Sequence, residues 1–383
     1  MELTTYFSDF LKNVRPTPSQ QDNARTGHMA LRDRVEADED LSPIIVSTFL
    51  QGSYRRSTAV RPASGKRSDV DVVVVTTLDA DEWTPQEAIG RFKPFADKHH
   101  PGKYTISGRA IQIELSYVDL DLVVTAAPSE SEAALYKSAA VTASEGPEEV
   151  DDWRLNESWI ALSERQDNAQ VAWAMLRKAK AAPEWQLEPL LIPDRDAGAW
   201  DPTHPLEQIR WTFAKNARCN GYYVGVVKAI KWWRRAVQPA PKYPKGYPLE
   251  HIVGECCPDG IASMAEGVTR TLEEIGSRYA GEAAAGLVPL LPDRGVPAHN
   301  VLGRLSAPDF SKFHRQVRDA AAVARRAWEA EGVEASAHAW RELFGDRFPE
   351  PPGGSDQGKD GSGCKGGYTP RQAPTVIGGG RFA

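Results

Sequence analysis

Residues 49–76 read FLQGSYRRSTAVRPASGKRSDVDVVVVT, and the fold turns on how this stretch is parsed. The segment Gln51-Gly52-Ser53 reads as a short turn, and Ser68 onward reads as a strand. Successive side chains of a strand alternate faces, so Asp69 and Asp71 stand side by side on one face with Val70 and Val72 on the other. The run Val72–Val75 is apolar enough to be buried on both faces. Two carboxylates this close repel each other, and burial would protonate one of them unless a cation sits between them. An isolated Asp-x-Asp is more often a polar strand end in solvent. The Gly-Ser turn changes that balance: glycine lets the backbone approach an anion, and a serine hydroxyl with nearby N–H groups can hold phosphate oxygens. A phosphate cradle facing a carboxylate pair points to metal-dependent phosphoryl transfer.

A second acidic strand follows. Residues 104–107 and 110–125 are strand-like, and the latter contains Tyr117-Val-Asp119-Leu-Asp121-Leu-Val-Val, with Asp119 and Asp121 sharing a face. Either could join Asp69 and Asp71, and alternation does not choose between them.

These residues resemble a known family. Gly52-Ser53 followed by Asp69-Val-Asp71 is similar to the signature of the DNA polymerase β-like nucleotidyltransferase superfamily. QGSYRRST with SDVDVVVV resembles the bacterial cGAS/DncV-like nucleotidyltransferases (CD-NTases), and the likeness runs through KYPKGYPLEHIV to the terminal GRFA, closest to clade D. The resemblance implies an α+β fold: a polymerase β-like mixed-sheet core and a helical C-terminal lobe, braced by an N-terminal helix, with the active site in the cleft between lobes. It implies that Asp69, Asp71 and a third carboxylate bind two Mg²⁺ ions, with Mn²⁺ as a substitute. Matching the family's Asp followed by an apolar run selects Asp121, with Asp119 second. Gln51, Gly52 and Ser53 would then contact the donor triphosphate. Lys231 matches the family's helix lysine that reaches it, and Tyr247 matches the tyrosine that stacks on a base, although Gly246 stands where the family has Ser. The implied activity is an anti-phage (CBASS) synthase joining ATP and GTP to a cyclic AMP-AMP-GMP messenger. A ubiquitin-transfer-like enzyme conjugating the C-terminus is the implied protein partner.

The rest of the chain is consistent with that class. The 383 residues are 41% hydrophobic and 26% charged, ordinary for a globular protein. No apolar run approaches the ~18 residues of a membrane span, and the N-terminus lacks the features of a signal peptide, so a cytoplasmic protein with no membrane partner is expected. The net charge of −6 argues against a long nucleic acid partner, which wants a basic face. His251 with Cys256-Cys257 hints at zinc, but a fourth nearby ligand is missing. On helix 205–237, expected to kink at Gly221, Lys228, Lys231 and Arg235 form a basic stripe beside an apolar one.

The expected organisation is an N-terminal helical spine (1–40), a catalytic core (41–155), an irregular connection (156–200), a helical lobe (201–347) and a Gly/Pro-rich tail (348–383). Within it, residues 84–99 read as one helix, 165–182 as another, and 189–201 as irregular wrapping. Two rival functions stay open: a nucleotidyltransferase making linear oligonucleotides or modifying RNA or protein, and a non-catalytic nucleotide sensor.

Overall fold

The computed structural model describes residues 1–127, 189–237 and 239–351. The helix expected over 165–182, the segment Asp151–Arg154 and the tail from 352 onward lie outside the described residues.

The chain opens with two helices, α1 (Thr4–Val14) and α2 (Pro18–Glu36). Pro16 and Pro18 part them, and Thr17 starts α2 through a reciprocal cap with Gln20. Strand β1 (Ile45–Gln51) runs straight into the single-turn helix α3 (Gly52–Arg55), and β2 (Ser68–Thr76) returns antiparallel to β1. The residues expected as one helix after Thr84 form two short ones, α4 (Pro85–Gly90) and α5 (Lys93–His99). Pro94 in the first turn of α5 cannot supply the N–H that would continue α4. The strand-like run 110–125 also divides: β3 (Tyr104–Ile106), β4 (Ile111–Glu114) and β5 (Val118–Ala126) form an antiparallel meander.

Strand β5 then lies parallel to β2, giving the order β1-β2-β5-β4-β3. The segment expected to be irregular instead forms a hairpin, β6 (Leu190–Asp194) and β7 (Ala199–Thr203), joined to β5 through Ala126 and Leu191. Pro193 and Pro202 obscure this hairpin in the sequence, and prolines are tolerated on such edge strands.

Helices α6 (Pro205–Arg218), α7 (Tyr223–Ala236), α8 (Gly246–Cys256), α9 (Met264–Arg278), α10 (Ala280–Ala284), α11 (Ala307–Glu329) and α12 (Val333–Phe344) complete the chain. The region expected as one kinked helix is two, because Asn220 and Gly221 take positive φ (53° and 84°) and end α6 in a left-handed turn. The fold is α+β.

The strand periodicity divides the core in two. Val70, Val72 and Val74 of β2, with Leu120, Leu122 and Val124 of β5, pack beneath α2, α4 and α5. Val73, Val75 and Val123 face the other way, into the core of α1 and the C-terminal helices. The acidic residues belong to this second face, at the end of the sheet where the apolar positions give way to Asp69 and Asp71. Helices α1 and α2 therefore serve opposite sides of the sheet. Phe7 and Phe10 of α1 stack among Trp340, Phe344 and Phe348, so Phe348 belongs to the core rather than to the tail.

Candidate active site

The turn between β1 and α3 is shaped by what it must avoid. Gly52 has φ +73°, and a Cβ placed there would lie 1.9 Å from Oδ2 of Asp71. Any other residue would meet both left-handed strain and a carboxylate. The close approach follows from the ladder, which sets Gln51 opposite Asp71. Ser53 follows Gly52 in the single turn of α3, and its carbonyl accepts from Thr58 N (2.9 Å) and Ala59 N (3.1 Å). Those bonds fold the following loop back over the turn. Ser53 lines a cleft of about 230 Å³.

Parallel pairing places Asp69 opposite Asp119 and Asp71 opposite Asp121, a block of four carboxylates on one face of two adjacent strands. They are not equivalent. Asp119 accepts from Arg67 Nε at 2.6 Å, and the same guanidinium reaches Glu114 at 3.3 Å. Asp121 has Gln112 opposite it on β4, a neutral hydrogen-bonding partner. Asp119 is therefore paired with a cation whereas Asp121 is not.

Electrostatics mark the other three as underneutralised. Confinement in the cleft pushes the Asp69 carboxyl up to about 7, with the charges of Asp71, Asp121 and Asp119 adding to the rise. The Asp69 side chain still touches solvent, so water screens part of that cost. Burial raises Asp121 to about 6, and Asp71 adds to the shift. Burial also raises Asp71, offset by the nearby Arg56 guanidinium. Among the described residues no three His, Cys, Asp or Glu side chains converge on one point as a bound ion would require. The chemistry of the donor set nonetheless fits a hard divalent cation: oxygen ligands only, with too little positive charge to balance them.

The opposite wall of the cleft comes from α7 and α8. Lys231 Nζ donates to the Thr58 carbonyl (3.0 Å) and forms an ion pair with Glu250 Oε1. Glu250 Oε2 accepts from Arg56 Nε at 3.1 Å. All three side chains are buried. Burial works against the Glu250 carboxylate, but Arg56 and Lys231 together hold its carboxyl down at about 2. This triad ties the α3 loop of the sheet to the helical lobe, so it fixes the distance between the cleft walls.

Tyr247, in the first turn of α8, is 37% exposed. Its hydroxyl donates to Asp293 Oδ2, His251 packs against one side of the ring at 4.6 Å, and the Arg56 guanidinium lies 5.7 Å from the ring centroid. The ring is thus held in place while the residue stays partly exposed. Cys257 Sγ lies 3.9 Å from Cys219 Sγ.

Of the expected site residues, Ser53, Asp69 and Lys231 line the cleft itself. Asp71 and Asp121 continue the acidic face, and Gly52 closes on Asp71. Gln51 contributes through its backbone register rather than through a side-chain hydrogen bond among the described residues. Sequence reasoning missed Glu250 and Asp293. Glu250 sits inside the KYPKGYPLEHIV stretch, but its two partners come from elements distant in sequence.

Comparison with known proteins follows the same lines. The family profile of the Second Messenger Oligonucleotide or Dinucleotide Synthetase domain matches residues 1–134. A protein of Salmonella paratyphi B described as a probable cyclic AMP-AMP-GMP nucleotide synthase is 46% identical, over 100% of both chains. The cyclic AMP-AMP-GMP synthase of Enterobacter hormaechei subsp. hoffmannii (strain UCI 50) is also 46% identical, over 98% of this chain and 97% of its own. Among solved structures, CdnC of the E. coli MS115-1 CdnC:HORMA-deltaN complex superposes with a TM-score of 0.61 at 15% identity, covering 91% of this chain and 99% of that one.

Proposed function

The chain belongs to the bacterial CD-NTase family of cyclic-oligonucleotide-synthesising nucleotidyltransferases, and from that premise we propose that it joins ATP and GTP into cyclic AMP-AMP-GMP with release of pyrophosphate. The reading is supported above all by the parallel register that sets Asp71 beside Asp121 beneath Gly52-Ser53.

Asp69, Asp71 and Asp121 would hold the divalent metal, Mg²⁺ or Mn²⁺. When bound, it neutralises phosphate charge and acidifies the attacking ribose hydroxyl. Gly52 leaves room for a phosphate oxygen to approach the backbone, and the Ser53 hydroxyl can donate to it. Lys231 adds positive charge to the same wall, and its tie to Glu250 and Thr58 keeps that wall in place. Tyr247 offers a preset face for a nucleobase, worth ~1–3 kcal/mol per stacked base. Most of the rate enhancement then comes from positioning and charge neutralisation rather than from a dedicated general base.

The anti-phage (CBASS) setting belongs to the same proposal. So does conjugation of the C-terminus, Gly378-Gly-Gly-Arg-Phe-Ala383, by a ubiquitin-transfer-like enzyme; that segment lies outside the described residues. Deleting Phe382 and Ala383 should abolish conjugates formed beside such an enzyme, and persistent conjugates would remove this part of the reading. The principal test is mass spectrometry of products formed from all four nucleoside triphosphates with Mg²⁺ or Mn²⁺. A cyclic trinucleotide of two AMP and one GMP is expected from the wild type and none from Asp69→Asn. A linear product, or label on RNA or protein, would replace the cyclic reading.

A further inference from the structure

Residues 285–306, between α10 and α11, form a loop that closes on itself and is fastened to its surroundings. Leu291 N and Leu302 N both donate to Asn300 Oδ1 at 3.0 Å, and Val301 N donates to the Leu291 carbonyl at 2.9 Å. Arg294 lays its guanidinium 3.3 Å from the ring centroid of Trp211 on α6 and donates to the His251 carbonyl of α8 at 3.0 Å. Gly254 makes room for it, since a Cβ there would stand 2.0 Å from Arg294 Nη2. His299 Nε2 lies 3.1 Å from Asp201 Oδ1 on β7.

Within this frame Asp293 divides its two oxygens. Oδ1 accepts from Gln208 Nε2 of α6 (2.7 Å), from Gly295 N (2.8 Å) and from Val296 N (3.1 Å). Oδ2 is left to accept from the Tyr247 hydroxyl. A carboxylate gripped by three donors on one oxygen cannot turn without breaking them, so the other oxygen is a fixed acceptor. Burial and the neighbouring Asp293 charge hold the Tyr247 hydroxyl protonated, above its ordinary value, so it stays the donor. The hydroxyl lies on the axis about which a tyrosine ring turns, so this bond fixes χ1 and leaves rotation about the axis open. His251 limits that rotation, its ring tilted 59° to the tyrosine at 4.6 Å. Gly246 and Leu249, on either side of Tyr247 in α8, line the cleft.

We propose that Asp293, oriented by Gln208, is a positioning residue that sets nucleotide affinity through the Tyr247 ring. This rests on Tyr247 being the platform on which a nucleobase stacks. A base then meets a ring that is already ordered, and less side-chain freedom is lost when it binds. The control lies in a loop outside the sheet that carries the acidic residues, so it acts on the base and not on the phosphates.

The test is calorimetric titration of full-length protein, in Mg²⁺, with nonhydrolysable ATP and GTP analogues and with inorganic tripolyphosphate, which has no base. Tyr247→Phe and Asp293→Ala should each weaken at least one analogue about fivefold, the cost of ordering one side chain on binding, and leave tripolyphosphate unchanged. The double variant should lose no more than either single one, because both remove the same tie. Gln208→Leu should cause part of the loss alone and none in the Tyr247→Phe background. Additive losses, or an equal loss for tripolyphosphate, would show that Asp293 merely supports the loop and would overturn the assignment. Tyr247→Ala separates the two levels of the reading. If it weakens an analogue by more than about tenfold while Tyr247→Phe and Asp293→Ala bind like the wild type, the positioning role fails and the base platform stands. If Tyr247→Ala also binds like the wild type, the ring is not the base platform and the positioning role falls with it.

Discussion

Replacing Glu250 with Gln keeps the shape of the residue and removes one charge from a buried triad. In the native protein this side chain is 4% exposed and its carboxyl is held at about 2, against an ordinary value of 4.5. That interval on the pH scale corresponds to about 3 kcal/mol favouring the native state. The sign follows from the depressed value: the contribution is fully present above pH 4.5 and is lost as pH falls from there toward 2. Lys231 argues for restraint, because burial holds its ammonium below its ordinary value despite Glu250, so the triad returns only part of what desolvation costs. Without the carboxylate, however, Arg56 and Lys231 are left as two buried positive charges, and breaking such a pair costs about 3–5 kcal/mol. We expect Glu250→Gln to lose about 3 kcal/mol in urea unfolding near neutral pH, with an unchanged slope, and the difference from wild type to shrink between pH 4.5 and 2. Combining Glu250→Leu with Arg56→Met and Lys231→Met should recover most of the loss. A single-variant loss below about 0.5 kcal/mol, or a difference that persists at pH 2, would refute the claim that this triad joins the two walls of the cleft.

Other outcomes follow from the same geometry. Gly52→Ala puts a methyl group where the Asp71 carboxylate now lies, so product formation should fall at least about a hundredfold while circular dichroism stays native. Asp119 is paired with Arg67 whereas Asp121 has no cation, so steady-state rates should fall at least about a thousandfold for Asp121→Asn and less than about tenfold for Asp119→Asn. Asp69 and Asp121 have raised native values, so their ionisation opposes folding: in chelator, Tm should decline as pH rises from about 4 through about 7. Asp69→Asn should flatten that decline and stabilise the metal-free protein at pH 8 by about 1 kcal/mol after allowance for solvent screening.

What the sequence disclosed depended on whether a feature is local. Alternation along residues 68–76 was enough to place Asp69 and Asp71 together and to bury Val72–Val75, because period-two patterning is a property of one strand. Thr84-Pro85 announced the start of α4 in the same way, through its own cap. The difference in surroundings between Asp119 and Asp121 was not local: it depends on Arg67, distant in sequence, reaching Asp119. The Arg56–Glu250–Lys231 triad joins three separate elements, and nothing in the neighbourhood of any one residue discloses its partners. The hairpin of β6 and β7 escaped because Pro193 and Pro202 argue against a strand unless its edge position is known. Phe348 looked like the first residue of a Gly/Pro-rich tail, yet it closes an aromatic cluster begun by Phe7 and Phe10 more than three hundred residues earlier.

The central claim is that Asp69, Asp71 and Asp121 act together as one metal site beneath Ser53. Electron paramagnetic resonance of Mn²⁺ titrated into the full-length protein with a nonhydrolysable ATP analogue tests it most directly. Tight Mn²⁺ binding is expected in the wild type and in Asp119→Asn, with loss of that binding in each of Asp69→Asn, Asp71→Asn and Asp121→Asn. Undiminished binding in those three variants, or loss in Asp119→Asn alone, would contradict it.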